Sequence, residues 1–344
     1  MFLALYRRAL CSLPTMLLQV AVTGASGHIG NVVCRTLLER GHRVRAMYKA
    51  DDRALAGLPL ERVQGDVLVQ EDLLRLLRGC DVVVNCAAII SVAGDPTGMV
   101  YRTNTEGPRN VRAAAVVQGA KRMVHISSVH AVTELPHSQP YDETRPYKTA
   151  ARYVYDRSKA LGEQALFAAI GNDALELVVL RPSAVIGPFD AKPSMMGAAL
   201  LDFRRGKVPV LPPGGYDLVD VRDVARSIVE AIDKGRNGEV YILSGKYHTM
   251  KKLAQVIARV TGKRMPQRVM SHGLLKALLP FVALHGKITR TAPRFNRASI
   301  DALVHGHPNI DSTKARKELG HTTRPLEETL RDFYRWQKEQ GVID

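Results

Sequence analysis

Cysteine is scarce and unpatterned in this chain. Cys11, Cys34, Cys80 and Cys86 fall at no metal-ligand or redox spacing, so no metal centre is expected and a reducing, cytoplasmic setting fits. Acids are also few, 33 Asp and Glu against 49 Lys and Arg, for a formal net charge of +16. A charge of that sign suits acidic small molecules, nucleic acid or an anionic membrane surface. The basic residues are spread along the chain and accompany no nucleic-acid motif, so a nucleic-acid partner is not expected. No stretch reaches the roughly 18–20 apolar residues of a membrane span. Internal repeats and low-complexity segments are missing too. What remains is a soluble globular composition, 46% hydrophobic and 24% charged over 344 residues, enough for one large α/β domain or one and a half.

Residues 1–15 are apolar, contain Arg7 and Arg8, and lack acids. A secretory signal carries its charges ahead of the apolar stretch, which this segment does not. It reads as an N-terminal extension, either a short targeting helix or the product of an upstream start codon, with Met16 opening the fold. The second reading is the simpler.

The chain is organised around residues 20–30, VAVTGASGHIG. The apolar run 17–22 ends in Gly24, Gly27 and Gly30, and helical spacing continues from Ile29 to Leu38. This is strand, tight turn, helix. Glycine there allows a sharp turn, close approach to a pyrophosphate and tight helix–strand packing, and the helix start offers unpaired N–H groups to phosphates. Further strands are expected at 43–48, 61–64, 81–88, 122–127 and 174–180, with helices at 70–77, 101–118 and 155–170. Alternation of that kind predicts a doubly wound parallel (Rossmann) sheet. Prolines punctuate 187–216, predicting loops and short helices over the cleft. A helix at 221–232 and a strand at 239–243 return to the sheet. Helices at 250–260, 274–284 and 326–336 form a smaller, mostly helical C-terminal lobe. The division is then 16–181 for dinucleotide binding and 182–344 for substrate, with 219–243 belonging to the sheet. Pro108 falls inside the long helix, where it should kink or break it.

Ligands of open α/β sheets lie at the carboxyl ends of the strands. Ser127-Ser128 ends the fifth strand, and Tyr155 with Lys159 stand at i, i+4 on one face of the next helix. A phenol has a pKa near 10 and is a poor acid–base group at neutral pH; an ammonium beside it favours the phenolate. A serine within reach polarises a carbonyl.

These segments together resemble the extended short-chain dehydrogenases/reductases. TGASGHIG, GDV from Gly65, NCAA from Asn85, NTEG from Asn104, HISSVHAV, YDRSK, LRPSAVIGP and VDVRDVA from Val219 occur in the family's order, across residues 17–337. The resemblance implies a triad of Ser128, Tyr155 and Lys159. It places a water on Asn104 that leads to Lys159, and it has Tyr155 exchange a proton with the substrate oxygen while hydride moves to or from nicotinamide. Lys159 also binds the nicotinamide ribose. Cofactor contacts are implied at Gly24, Gly27, His28, Ile29 and Gly30, at Asp66 and Val67 beside the adenine, and at Ala87, Ala88, Pro182 and Val185. Ser127 is the less suitable serine. Tyr153 is excluded as the acid, because Arg157 and not a lysine stands four residues on.

NAD-preferring members place an acid at the end of the second strand to hold the ribose 2′-hydroxyl. Tyr48 and Lys49 stand there, so NADP(H) is the expected cofactor, with Lys49 and Arg53 available to its 2′-phosphate. Asp51 and Asp52 keep NAD(H) open. Sugar epimerases and dehydratases of the family carry Arg-x-x-Asn where this chain has Arg181 and Ala184, and dehydratases carry Asp-Glu where it has Val129-His130. The sequence resembles instead the dihydroflavonol-reductase and 3β-hydroxysteroid-dehydrogenase branch. Gly187 to Pro193 further resembles bacterial dihydroflavonol-reductase-like proteins, some named hopanoid-associated sugar epimerases. The expected activity is therefore an NADPH-dependent ketone or aldehyde reductase, or the reverse alcohol dehydrogenase, on a small to medium apolar or polyol-like substrate. A sugar epimerase/dehydratase is the alternative, followed by a non-catalytic NADP sensor, a class that usually loses the tyrosine or lysine retained here. A homodimer is left open. His130 is either a substrate contact or a solvated loop histidine.

Overall fold

The computed structural model describes residues 17–92, 94–275, 277 and 297–344. The N-terminal extension at 1–15 lies outside these residues, as does most of the helix expected at 274–284.

The strands in chain order are β1 (Gln19–Thr23), β2 (Arg43–Tyr48), β3 (Glu61–Gln64), β4 (Val82–Asn85), β5 (Arg122–Ile126), β6 (Glu176–Pro182), β7 (Ala184–Ile186), β8 (Gly215–Asp220), β9 (Glu239–Leu243) and β10 (Lys246–Thr249). Seven of them form one parallel sheet in the order β3-β2-β1-β4-β5-β6-β9. The order reverses between β1 and β4, which opens a crevice at their carboxyl ends. There Thr23 pairs in register with Asn85, and Asn85 with His125, so three strands end at one level.

The helices are α1 (His28–Glu39), α2 (Gln70–Leu77), α3 (Met99–Val117), α4 (Val154–Phe167), α5 (Met195–Arg204), α6 (Val221–Lys234), α7 (Met250–Thr261), α8 (Arg297–Val304), α9 (Thr313–Leu319) and α10 (Leu326–Glu339). Strand residues alternate between two apolar layers. Val20, Val22, Val84 and Val124 face α1 and α6 through Val33, Leu37, Val224 and Ile228. Ala21, Val83 and Met123 face α2, α3 and α4 through Leu73, Val111 and Leu166. Each fully buried Val or Leu contributes about 1.5–3 kcal/mol, and a strand covered on both sides must be apolar on both, as β4 is.

Two expectations need correction. Pro108 does not break its helix, since α3 runs from Met99 to Val117 across it; α4 packs along α3 and holds the turn in place. The segment after Pro182 is also more than loops and helices: β10, β8 and β7 form a second, three-stranded sheet. It shares a third core, including Leu200, Leu218, Leu253, Ile257, Leu330 and Phe333, with α5, α7 and α10. Among the described residues no helix is long and apolar enough to cross a membrane.

Candidate active site

The turn between β1 and α1 is built on glycine for a steric reason. Gly24 holds φ at +61°, and a Cβ there would stand 2.7 Å from the Ala87 nitrogen. A Cβ on Gly30 would stand 2.3 Å from the Gly24 carbonyl oxygen. Gly27 caps α1 without a side chain, and no acid occupies the first turn, leaving the positive helix end to an anion. These residues fit a dinucleotide, in a cradle that any side chain would fill. His28 turns its imidazole elsewhere: Nε2 donates to the Pro188 carbonyl at 2.9 Å. Ile29 packs against the α1–α6 core.

At the far side of the crevice, Lys49 pairs with Asp66 at 2.7 Å. Asp66 also accepts from Leu68 N at 3.0 Å, and Val67 packs toward Gly107 while its carbonyl accepts from Asn110. Arg53 grips Asp51 through two nitrogens, at 3.0 and 2.7 Å, and Arg62 holds Asp52 at 3.0 Å. Both carboxylates after β2 are thus already engaged. Tyr48 ends β2 half-buried against the α1 layer.

Ala87 and Ala88 follow β4, and a buried polar chain ties them to β5. Ala87 N donates to Thr23 Oγ1 at 3.3 Å, Thr23 Oγ1 to Asn85 Oδ1 at 2.6 Å, and Asn85 Nδ2 meets His125 Nδ1 at 3.0 Å. Burial, with the Lys159 charge adding to it, keeps His125 well below the ordinary histidine range and therefore neutral. Sequence reasoning missed this chain; its members lie on three strands and only the sheet register aligns them.

Ser128 follows β5, and its Oγ accepts from His130 N at 3.1 Å. Burial raises the Tyr155 phenol to about 12; Ser128 opposes the rise and Asp156 adds to it. Lys159 lies on the same face of α4, 4% exposed, and donates from Nζ to the Ile126 carbonyl at 2.9 Å. Its pKa falls to about 8, because burial outweighs the opposing pull of Glu163. Ser128 and Tyr155 thus meet around His130, and Lys159 stands one turn along α4 from Tyr155. Ser127 is spent structurally, donating to Glu163 at 2.6 Å. Tyr153 donates to Asp301 at 2.5 Å, away from this cluster.

Asn104 braces the loop after β4. Its side chain accepts from Ile89 N and donates to Ile89 O, both at 2.9 Å, and donates to Ser158 at 3.0 Å. Pro108 has no N–H to offer the Asn104 carbonyl four residues back. That carbonyl instead faces α4, so close that a Cβ on Gly162 would stand 2.1 Å from it.

Glu163 anchors the whole end of the sheet. It is fully buried, receives Arg181 at 2.6 Å and Tyr147 at 2.9 Å besides Ser127, and Arg181 is itself 1% exposed. Arg145 fixes the loop after Ser128, donating to the carbonyls of Leu135, Pro136, Gln139 and Pro140 at 2.7–2.9 Å. Beside Tyr155, His130 approaches Asp156 at 3.6 Å with its ring edge-on to the phenol, so it belongs to the site's margin. Pro182 ends β6 and Val185 sits in β7. Among the described residues no group of three His, Cys, Asp or Glu could hold a metal.

The model of the NAD dependent epimerase/dehydratase family matches residues 20–244. The chain belongs to that family. It is 32% identical over 329 residues to the sterol demethylase protein B of Methylococcus capsulatus, covering 94% of this chain and 99% of that one. To a 3-beta-hydroxysteroid dehydrogenase of Mycolicibacterium neoaurum it is 27% identical over 326 residues, covering 90% and 88%. The crystal structure of gox2253 matches with a TM-score of 0.82 at 30% identity, covering 94% and 99%. Within the epimerase/dehydratase family its relatives are extended short-chain dehydrogenases/reductases of the dihydroflavonol-reductase and 3β-hydroxysteroid-dehydrogenase kinds. This family member is accordingly an NAD(P)-dependent oxidoreductase.

Proposed function

We propose that this protein is an NADPH-dependent ketone or aldehyde reductase, or the corresponding alcohol dehydrogenase, with Ser128, Tyr155 and Lys159 as its catalytic residues. The observation that carries the reading is the meeting of Ser128 and Tyr155 around His130 after β5, with Lys159 one turn along α4 and bonded to the Ile126 carbonyl. A phenol held at about 12 is protonated at neutral pH and can donate to the oxygen of a carbonyl being reduced. Ser128 polarises the same oxygen. Lys159 at about 8 still carries its charge at neutral pH and favours the phenolate that proton donation leaves. When bound, the nicotinamide supplies or removes hydride. The glycine turn, Ala87, Ala88, Pro182 and Val185 would hold it, with Asp66 and Val67 toward the adenine.

Three observations support the finer assignments. Tyr48 and Lys49 stand where an NAD enzyme has its acid, and Asp51 and Asp52 are both taken by arginines, which favours NADPH. Ile90, Leu135 and Met195 are exposed apolar residues on the segments leaving the carboxyl ends of β4, β5 and β7, which favours an apolar substrate; the names of the sterol and steroid relatives agree. Asn104, whose freed carbonyl faces α4, suits a water leading toward Lys159. An epimerase or dehydratase is disfavoured by Ala184 and by Val129-His130 at the positions discussed above. The test is a screen of ketones and alcohols with NADPH and NADH, read by cofactor oxidation or reduction. Tight NADPH binding with no turnover of any carbonyl or alcohol would replace the reductase with a sensor.

A further inference from the structure

The first turn of α4 carries Tyr155, and no side chain caps that helix. Tyr153 stands at the N-cap and makes no cap bond, so the leading N–H groups lack the partner that Ser, Thr, Asp or Asn supplies there. The start of α4 is tied down by other elements instead. Lys148, in the loop just ahead, donates to Asp156 at 3.1 Å. Tyr153 donates its hydroxyl to Asp301 Oδ2 at 2.5 Å, and Asp301 lies on α8, 148 positions along the chain. Arg297, one turn earlier on α8, stands 4.0 Å from the same carboxylate, whose side chain is 20% exposed. Burial, then the Asp301 contact, pushes the Tyr153 phenol up to about 12, as expected of a hydroxyl committed to a carboxylate.

The segment that follows α8 holds the same loop further back. His137 Nε2 donates to the His305 carbonyl at 2.9 Å, and His307 Nε2 donates to the Gln139 carbonyl at 3.2 Å. Asp311 N donates to the Tyr141 carbonyl at 2.9 Å, beside a parallel bridge between Tyr141 and Ile310. The chain between Ser128 and Tyr155 is therefore clasped at four points, His137, Gln139, Tyr141 and Tyr153, by residues 301–311. Three of these hold the middle of the loop. The Tyr153–Asp301 bond is the one that reaches the helix bearing the phenol.

We propose that Asp301 is a positioning residue for Tyr155, fixing the start of α4 through the Tyr153 hydroxyl. An uncapped helix start that frays carries Tyr155 with it, and a displacement of about 1 Å can cost a hundredfold in rate. The inference rests on the reading of Tyr155 as the proton donor, and it makes turnover depend on a helix of the C-terminal lobe.

The test compares the full-length wild type with Y153F, D301A, the double variant and D301N. Each change trims one half-buried bond and leaves the apolar cores intact, so all should fold, as melting temperatures will check. Amide hydrogen exchange over residues 154–159 reads the helix start without any substrate. Exchange there should quicken about tenfold in Y153F and in D301A. The double variant should add nothing, because both changes remove the same bond. Turnover of the carbonyl compound selected by the NADPH screen should fall about tenfold in the two single variants. KM and NADPH affinity should stay within about twofold. D301N can still accept from the Tyr153 hydroxyl and should recover most of the lost rate. Unchanged exchange in both single variants overturns the inference, as does faster exchange with full turnover, or losses that add in the double variant. Equal losses of turnover, substrate affinity and NADPH affinity also overturn it, because the bond would then support the fold at large. If no carbonyl is turned over, or Tyr155→Phe keeps its rate, the reading of Tyr155 as acid fails first, and this inference falls with it.

Discussion

At the scale of single residues the chemistry turns on two opposed effects of burial. Burial raises the Tyr155 phenol to about 12 and lowers the Lys159 ammonium to about 8, since each shift favours the neutral form. Tyr155→Phe keeps the ring and removes only the hydroxyl. Turnover should fall about 10²–10⁴-fold with NADPH affinity nearly unchanged; retention of more than about a tenth of the wild-type rate would exclude Tyr155 as the acid. Lys159 predicts the alkaline behaviour. Its charge is present below about 8 and lost above it, so turnover should decline as pH rises through that value. Stability should move the other way over the same window. Between about 8 and the ordinary lysine value of 10.5 the unfolded chain binds the extra proton, and stability attributable to this group rises with pH. A pH–rate profile flat to pH 10 would place the essential cation elsewhere.

At the scale of elements, α3 and α4 set the geometry of the proposed site between them. Pro108 sits inside α3 and leaves the Asn104 carbonyl without its helical donor, while Gly162 lets that carbonyl come against α4. A proline inside a helix costs about 3 kcal/mol relative to alanine. Pro108→Ala should therefore raise the melting temperature, and the restored N–H should claim the Asn104 carbonyl and lower turnover by roughly tenfold. A residue whose role is only structural would move stability and rate together, so paired melting and kinetic measurements separate the cases. A faster, more stable variant would remove the Asn104 carbonyl from the reaction.

Across the whole molecule the critical tie is the buried Arg181–Glu163 pair. It joins β6 to α4, and through Ser127 and Tyr147 it reaches β5 and the loop ahead of α4. Breaking a buried pair by removing one partner leaves an uncompensated charge and costs about 3–5 kcal/mol. Glu163→Gln keeps the shape and leaves Arg181 without its counter-charge, so the unfolding free energy from denaturant titration should drop by that order. Glu163 also supports the Lys159 charge, and its loss should move the alkaline decline of the rate to lower pH. An unchanged pH profile in a destabilised variant would confine Glu163 to architecture.

The sequence by itself determined whatever is written in local spacing. The three glycines, the i, i+4 pair of Tyr155 and Lys159, and the apolar run through β4 each encode their geometry within a dozen residues. β2, β3, α2 and β9 accordingly fall at the bounds expected for them. Tertiary structure decided the rest, because the partners are far apart in the chain. Ser127 and Ser128 are adjacent, and only the family resemblance chose between them in the sequence; in the fold Glu163 takes the Ser127 hydroxyl. β7, β8 and β10 pair with one another and not with the seven-stranded sheet, and the core they share with α5, α7 and α10 covers them. Pro108 reads as a breaker until the packing of α4 holds α3 across it. The loop after β7 carries no signal of its contact with α1, which joins Pro188 and Phe189 to His28 and Asn31 some 160 positions back.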